Sequence, residues 1–253
     1  MQSATIEILQ ITDTHIGADP RERLGGVDTR ESFLAVRDAV QASGIDYNSI
    51  WLTGDLTANS EPRAYQWLFN ELRTLDLPVY CIPGNHDEAQ TMASLVFAQG
   101  WQHCGELTIG GWHVVFLDSA VLGEAYGNLR AEELERLDAS LVAHRDLPCV
   151  VVLHHNPIPM SSRWLDTMTL RNCEQFWAVL DRHTQMRCVV WGHVHQNFDT
   201  YYNGVRLLAT PSTCVQFEAR ASDFAIAPLA PGYRRLTLSA DGGISSNALR
   251  IRA

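Results

Sequence analysis

The sequence predicts a single α/β domain with its polar chemistry gathered at strand ends. Three features predict this. β-Branched apolar runs alternate with helical patterns through the first two thirds of the chain. Asn203-Gly204 and Asp241-Gly242 mark hairpins in the last third. Asp, Asn and His residues cluster directly after strand-like runs, where open α/β sheets carry their ligand sites. The chain has 253 residues, of which 46% are hydrophobic and 19% charged. That is enough to bury a full core, and no linker, repeat or low-complexity tract divides it, so one domain over 1–253 is expected.

Thr5 to Thr12 reads as the first strand and leads through a Gly-containing loop to a helix starting near Asp28. Glu31, three residues later, is expected to complete a capping box, and Phe33, Val36 and Val40 share one face. Ile50 to Thr53 is the second strand. Ser60 is the expected cap of a helix with Pro62 in its first turn and Tyr65, Leu68, Leu72 and Leu75 at helical spacing. Pro78 to Ile82 is the third strand. Leu107 to Leu117, interrupted by Gly110-Gly111, reads as a hairpin, and Glu132 to His144 carries Leu134, Leu137 and Leu141 as an amphipathic helix. Val150 to Leu153 and Cys188 to Trp191 are short buried strands on either side of a helix around Phe176 and Leu180. Beyond them the hairpin signals predict an antiparallel C-terminal part.

The formal charge is -10 and there is no lysine, so every basic side chain other than histidine is an arginine. No basic cluster is long enough to follow a phosphate backbone, which argues against polymeric nucleic acid as a partner. A small anionic substrate stays compatible with that charge, because bound divalent cations reverse the local field. From Met1 to Ile11 there is no basic start or cleavage site, and no apolar run reaches the roughly 20 residues needed to cross a bilayer. A cytoplasmic protein without a membrane partner is therefore expected, and a homodimer is left open. The six cysteines show no C-x-x-C spacing and read as reduced structural thiols.

Five polar turns carry the chemistry: Asp13-Thr14-His15, Gly54-Asp55, Gly84-Asn85-His86-Asp87, His154-His155 and Gly192-His193-Val194-His195. In an extended turn, Asp13 and His15 can point the same way, as can His193 and His195, so each pair can chelate one ion or straddle two. Any one of these residues alone reads as a cap or turn residue. The shared presence of carboxylate, imidazole and amide donors suits transition ions such as Fe, Mn or Zn better than Mg or Ca. His103, His113, His144 and His183 lie away from these turns and read as packing or surface residues.

The order D-x-H, G-D, G-N-H-D, H and G-H-x-H resembles the signature of the calcineurin-like metallophosphoesterases. That resemblance implies a sandwich of two mixed β-sheets flanked by helices, with a dinuclear metal site at the C-terminal ends of strands. It implies a first ion held by Asp13, His15, Asp55 and His195, and a second held by Asp55, Asn85, His154 and His193. The adjacent His155 is then a substrate contact or a support for the ligands. His86 is implied as the catalytic residue facing the phosphoryl group, with Asp87 as an orienting partner and with His15, Asp55, Asn85 and His86 contacting substrate. Outside these turns, Ser162 to Asn172, the run LLATPSTCVQF from Leu207 to Phe217, and Ala230 to Arg234 are similar to the bacterial class III 3',5'-cyclic AMP phosphodiesterases of the CpdA type. The similarity implies hydrolysis of 3',5'-cyclic AMP to 5'-AMP by a hydroxide shared between two divalent or mixed-valence ions, with a cyclic nucleotide as the small-molecule partner. Trp164 is a candidate for stacking on the base, and the Asp and Arg of the same loop for framing the nucleoside. A diesterase for 2',3'-cyclic nucleotides or glycerophosphodiesters is the alternative. A non-catalytic metal-binding scaffold is disfavoured by the full ligand set together with His86.

Overall fold

Period-two alternation along the strands sorts their side chains onto opposite faces, and both faces are apolar. A computed structural model describes residues 5–251. Met1 and Ala253, the expected outer limits of the domain, lie outside the described residues. The main strands are β1 (Ile6–Ile11), β2 (Ser49–Thr53), β3 (Val79–Ile82), β4 (Gln102–His103), β5 (Gly105–Ile109), β6 (Trp112–Phe116), β7 (Cys149–Val152), β8 (Met186–Trp191), β9 (Phe198–Tyr202), β10 (Val205–Ala209), β11 (Gly232–Leu238) and β12 (Ile244–Arg250). The helices are α1 (Thr29–Ala42), α2 (Pro62–Arg73), α3 (Ala89–Phe97), α4 (Ala131–Ala143) and α5 (Cys173–Leu180).

These strands form two six-stranded sheets, ordered β12-β11-β1-β2-β3-β4 and β9-β10-β8-β7-β6-β5. In the first, a parallel run from β1 to β4 carries the antiparallel β11 and β12 on one edge; in the second, a parallel run from β10 to β6 carries the antiparallel β9 and β5 on its two edges. Ile6 and Ile8 of β1 point into the layer between the sheets, with Val150, Val152 and Val190. Leu9 and Ile11, on the other face of the same strand, pack with Phe33 and Val36 of α1 and Leu68 and Leu72 of α2. Val151 and Leu153 likewise turn outward to Leu137 and Leu141 of α4 and Phe176 and Leu180 of α5. The result is the expected sandwich of two mixed sheets between helices. Each fully buried large apolar side chain contributes about 1.5–3 kcal/mol, so the three apolar layers dominate its stability.

Three local expectations differ from the structure. The Asp28 carboxylate caps α1 by accepting from the backbone N–H groups of Arg30 and Glu31, at 3.1 and 3.0 Å. No reciprocal bond from Glu31 is found among the described residues, so the capping box is one-sided. Ser60 does not cap α2, whose N-cap is Glu61. With a left-handed φ of 59°, Ser60 instead directs its hydroxyl to the His86 carbonyl, 2.9 Å away, and accepts from the Glu88 N–H. The C-terminal part is not wholly antiparallel: β10 joins β8 in parallel, while β11 and β12 complete the other sheet.

Arg234 of β11 crosses from the first sheet to the second. It is fully buried. Its guanidinium donates to Thr210 Oγ1 at 2.9 Å, Asn197 Oδ1 at 2.8 Å, the Ala209 carbonyl and Ser246 Oγ. Burial lowers its pKa to about 10, so these neutral acceptors serve a cation that stays charged at neutral pH. Arg234→Met preserves length but strips those acceptors of their donor. Urea denaturation should show a loss of roughly 3 kcal/mol or more, since each orphaned buried acceptor costs about 1–3 kcal/mol. A variant within about 0.5 kcal/mol of the parent would show that the inter-sheet bonds contribute nothing net.

Candidate metal centre

The parallel strands deliver the polar turns to one edge of the sandwich, with strained backbones. Asp13 and His15 after β1 have φ of 52° and 44°, Asp55 after β2 has 51°, and His193 and His195 after β8 have 63° and 49°. These are left-handed conformations in non-glycine residues, each costing about 1–3 kcal/mol. The extended turns expected from the sequence are therefore absent here: left-handed residues alternate with ordinary ones, and this brings each pair onto one side. Cross-loop bonds hold the strain. The N–H of Asp13 donates to the Gly54 carbonyl and that of His15 to the Asp55 carbonyl, both at 3.0 Å. Ser212 Oγ donates to the Asp13 carbonyl at 2.7 Å.

The donor atoms converge in two groups. In the first, His15 Nε2 and His195 Nε2 lie 3.2 Å apart, with Asp13 Oδ1 at 3.3 Å from His195 Nε2. Asp55 stands between the groups. Its Oδ1 accepts the His86 N–H at 2.8 Å, while Oδ2 lies 3.7 Å from His15 Nε2 and 3.4 Å from His154 Nε2. One carboxylate oxygen is tied to the backbone and the other is central. In the second group, Asn85 Oδ1, His154 Nε2 and His193 Nε2 are buried without a hydrogen-bond partner among the described residues. Buried donors and acceptors are almost always satisfied, so several orphans in one place are accounted for by a cation. Nδ1 of His154 faces the Thr53 carbonyl at 2.7 Å, and Nδ1 of His195 faces the Val215 carbonyl at 2.9 Å. A carbonyl accepts only, so each Nδ1 carries the proton and each Nε2 is the free lone pair, as a metal ligand requires.

The electrostatics agree. Burial holds the pKa of His15 and of His193 down to about 3, keeping these imidazoles neutral. Burial also opposes charge on Asp13 and Asp55, but nearby histidines outweigh it, chiefly His195 for Asp13 and His154 for Asp55, and both stay below the usual carboxylate range. For His154 burial is likewise outweighed, by the Asp55 carboxylate, which raises its pKa to about 9. Ionised carboxylates thus face neutral imidazoles at His15 and His193, while His154, charged in the absence of a cation, would release its Nε2 proton when one binds.

A family profile for calcineurin-like phosphoesterases matches residues 6–197. The chain is a calcineurin-like metallophosphoesterase. It is 38% identical over 249 residues to the 3',5'-cyclic adenosine monophosphate phosphodiesterase CpdA of Escherichia coli K12, covering 98% of this chain and 90% of that protein. The CpdA of Vibrio vulnificus is 35% identical over 248 residues, with the same two coverages. A 3',5'-cyclic-nucleotide phosphodiesterase of Nostoc sp. is 36% identical over 246 residues, covering 97% of this chain and 92% of that one. Among solved structures, a dimetal phosphatase from Danio rerio superposes with a TM-score of 0.71 at 16% identity, covering 98% of this chain and 99% of its own, a likeness of fold.

The structure of the metallophosphoesterase also gives work to residues outside the two donor groups. Asp87 binds the N–H groups of Leu56 and Gly84, each at 3.0 Å, and the Tyr65 hydroxyl at 2.6 Å. It thus orients the loops after β2 and β3 rather than the His86 ring. The run LLATPSTCVQF lies behind the first donor group: Ser212 ties the Asp13 carbonyl, Val215 accepts from His195, and the Phe217 ring stacks on the His195 ring with centroids 4.0 Å apart. That role was not visible in the sequence, because stacking across 22 residues leaves no periodic trace. Trp164 packs edge to face against Phe217 and Phe224, at 5.0 and 5.3 Å between centroids, so two aromatic neighbours already pack against it. Arg171 sits over Tyr126, and Asp166 accepts from the backbone of Met160 and Ser162. The loop expected to frame a nucleoside therefore spends these three side chains on its own fold.

Glu106, His113 and His144 form a further cluster at the other end of the second sheet. The two rings are stacked 3.8 Å apart at 14°, and Ser140 bonds both His113 and Glu106. Lone pairs in parallel planes do not converge on one ion, so this cluster is packing.

Gly54 connects fold and site. Its φ is +95°, and an added Cβ would sit 2.3 Å from His154 Nδ1 and 2.8 Å from the Gly84 nitrogen. Gly54→Ala should therefore displace His154, with loss of bound transition metal by elemental analysis and a lower melting temperature. Gly44→Ala, at φ +64° with open space around it among the described residues, should suffer backbone strain alone and keep its metal. Equal metal content in both variants would contradict this packing account.

Proposed function

We propose that this metallophosphoesterase hydrolyses 3',5'-cyclic AMP to 5'-AMP. The observation that carries the proposal is its 35–38% identity, across 98% of its length, to phosphodiesterases of that name. The convergent donors support a dinuclear centre: Asp13, His15, Asp55 and His195 would hold one ion, and Asp55, Asn85, His154 and His193 the other. Mixed imidazole, carboxylate and amide donors favour Fe, Mn or Zn. When bound, such ions supply positive charge for the phosphoryl oxygens and activate water at neutral pH.

The chain's own groups would do the rest. His86 is exposed, and its Nδ1 donates to the Ala58 carbonyl at 2.9 Å, so Nε2 is the nitrogen left for substrate. Its ring stands edge-on to His15 with centroids 4.8 Å apart, beside the first donor group. As an imidazolium it would donate a proton from Nε2 to the departing 3' oxygen. Asp55 Oδ1 accepts from the backbone of His86, so the carboxylate that would serve both ions and the residue that would donate the proton are linked through one bond. Attack at phosphorus opposite the 3' oxygen leaves the phosphate on the 5' carbon.

Chromatography of the products should show 5'-AMP from 3',5'-cyclic AMP, with activity lost on chelation and recovered with added Mn²⁺. Accumulation of 3'-AMP, or much faster turnover of 2',3'-cyclic AMP or a glycerophosphodiester, would overturn the substrate assignment. His86→Ala should keep its metals and lower kcat by roughly 10²–10⁴, the range for a positioned acid or base. Metal loss, or an unchanged kcat, would remove His86 from that role.

A further inference from the structure

Three unpartnered imidazole nitrogens, not two, face the second donor group. His155 Nε2 is buried and without a hydrogen-bond partner among the described residues, as are His154 Nε2 and His193 Nε2. The nitrogens these three residues offer lie within 4.8 Å of one another. The His155 ring meets that of His154 at 89° and 4.9 Å, and that of His193 at 50° and 4.7 Å. Unlike the stacked pair of His113 and His144, rings at these angles can aim their in-plane lone pairs at one point.

The loop after β6 is built to hold the His155 ring. Its Nδ1 is 2.8 Å from Ser119 Oγ, which also accepts the His155 backbone N–H at 3.4 Å. Gly127 presses on the same side of the ring: a Cβ there would lie 2.4 Å from His155 Cγ and 2.6 Å from its Nδ1, so a side chain at 127 would push the imidazole away. With Nδ1–H donating to Ser119, Nε2 is a lone pair of fixed direction. A surface or packing histidine needs no such holder. Leaving this nitrogen unpaired in the interior would carry a desolvation cost of about 1–3 kcal/mol.

We propose that His155 is a further donor to the second metal ion, joining Asp55, Asn85, His154 and His193, and that Ser119 and Gly127 position it. The inference rests on the dinuclear reading above. Five protein donors, three of them imidazoles, leave a six-coordinate ion one position for an exchangeable ligand. They also bias that site toward nitrogen-preferring ions more strongly than the first.

The test is a titration of the full-length, chelator-stripped protein with Co²⁺, following both heat and the visible ligand-field bands. The parent should take two equivalents. His155→Ala should bind the first equivalent as the parent does and the second roughly 10–100-fold more weakly, the usual cost of a lost ligand or ligand partner, with altered bands for that ion. Ser119→Ala, which keeps the imidazole, should weaken the second equivalent in the same direction. Unchanged affinity and bands for the second ion in either variant would overturn the proposal, whatever the effect on turnover. A parent protein that takes only one equivalent would instead overturn the dinuclear reading itself.

Discussion

Asp55 has one carboxylate oxygen anchored by the His86 N–H and the other suspended between two groups of imidazoles. A buried carboxylate must be compensated, and in this position compensation can come from both sides at once. The neighbouring turns follow from that demand. Asp87 fixes the loops that carry Asp55 and Asn85, and Gly54 lets the His154 ring lie directly against the Asp55 turn. Asp13, on the far side of the first group, accepts the backbone N–H of His193, so the loops that carry the two donor groups are cross-tied.

Such a cluster opposes folding when empty of cations. Left-handed backbones at Asp13, His15, Asp55, His193 and His195 each store strain, and the unpaired nitrogens add desolvation cost. The three apolar layers and the inter-sheet bonds of Arg234 supply the stability that tolerates it. Rigid sheets on both sides also keep the donors close before any ion arrives, which limits the reorganisation that binding demands.

Much of this was legible in the sequence, for identifiable reasons. Ile8-Leu9 and Val150-Val151-Val152-Leu153 are continuous apolar runs, which is how strands buried on both faces read. The five polar turns stood out because Asp, Asn and His are expensive in such apolar surroundings unless they share a task. What stayed hidden depends on contacts between distant segments. The left-handed conformations at Asp13 and His195 have no glycine to announce them. Ser60 looked like a cap because its neighbours Glu61 and Pro62 begin a helix, yet its hydroxyl is drawn to the His86 loop. The stacking of Phe217 on His195 and the contacts of Trp164 with Phe217 and Phe224 and of Arg171 with Tyr126 join segments far apart in the chain, and they change which residues are free to meet a substrate.

In the dinuclear centre proposed for this metallophosphoesterase, Asp55 Oδ2 would be shared by two ions. Anomalous diffraction from crystals grown with Mn²⁺, collected above and below the manganese edge, tests it most directly. Two anomalous peaks about 3.5–4 Å apart are expected, the spacing of two-metal sites, with Asp55 Oδ2 bonded to both. A single peak, or two peaks with Asp55 bound to only one of them, would contradict it.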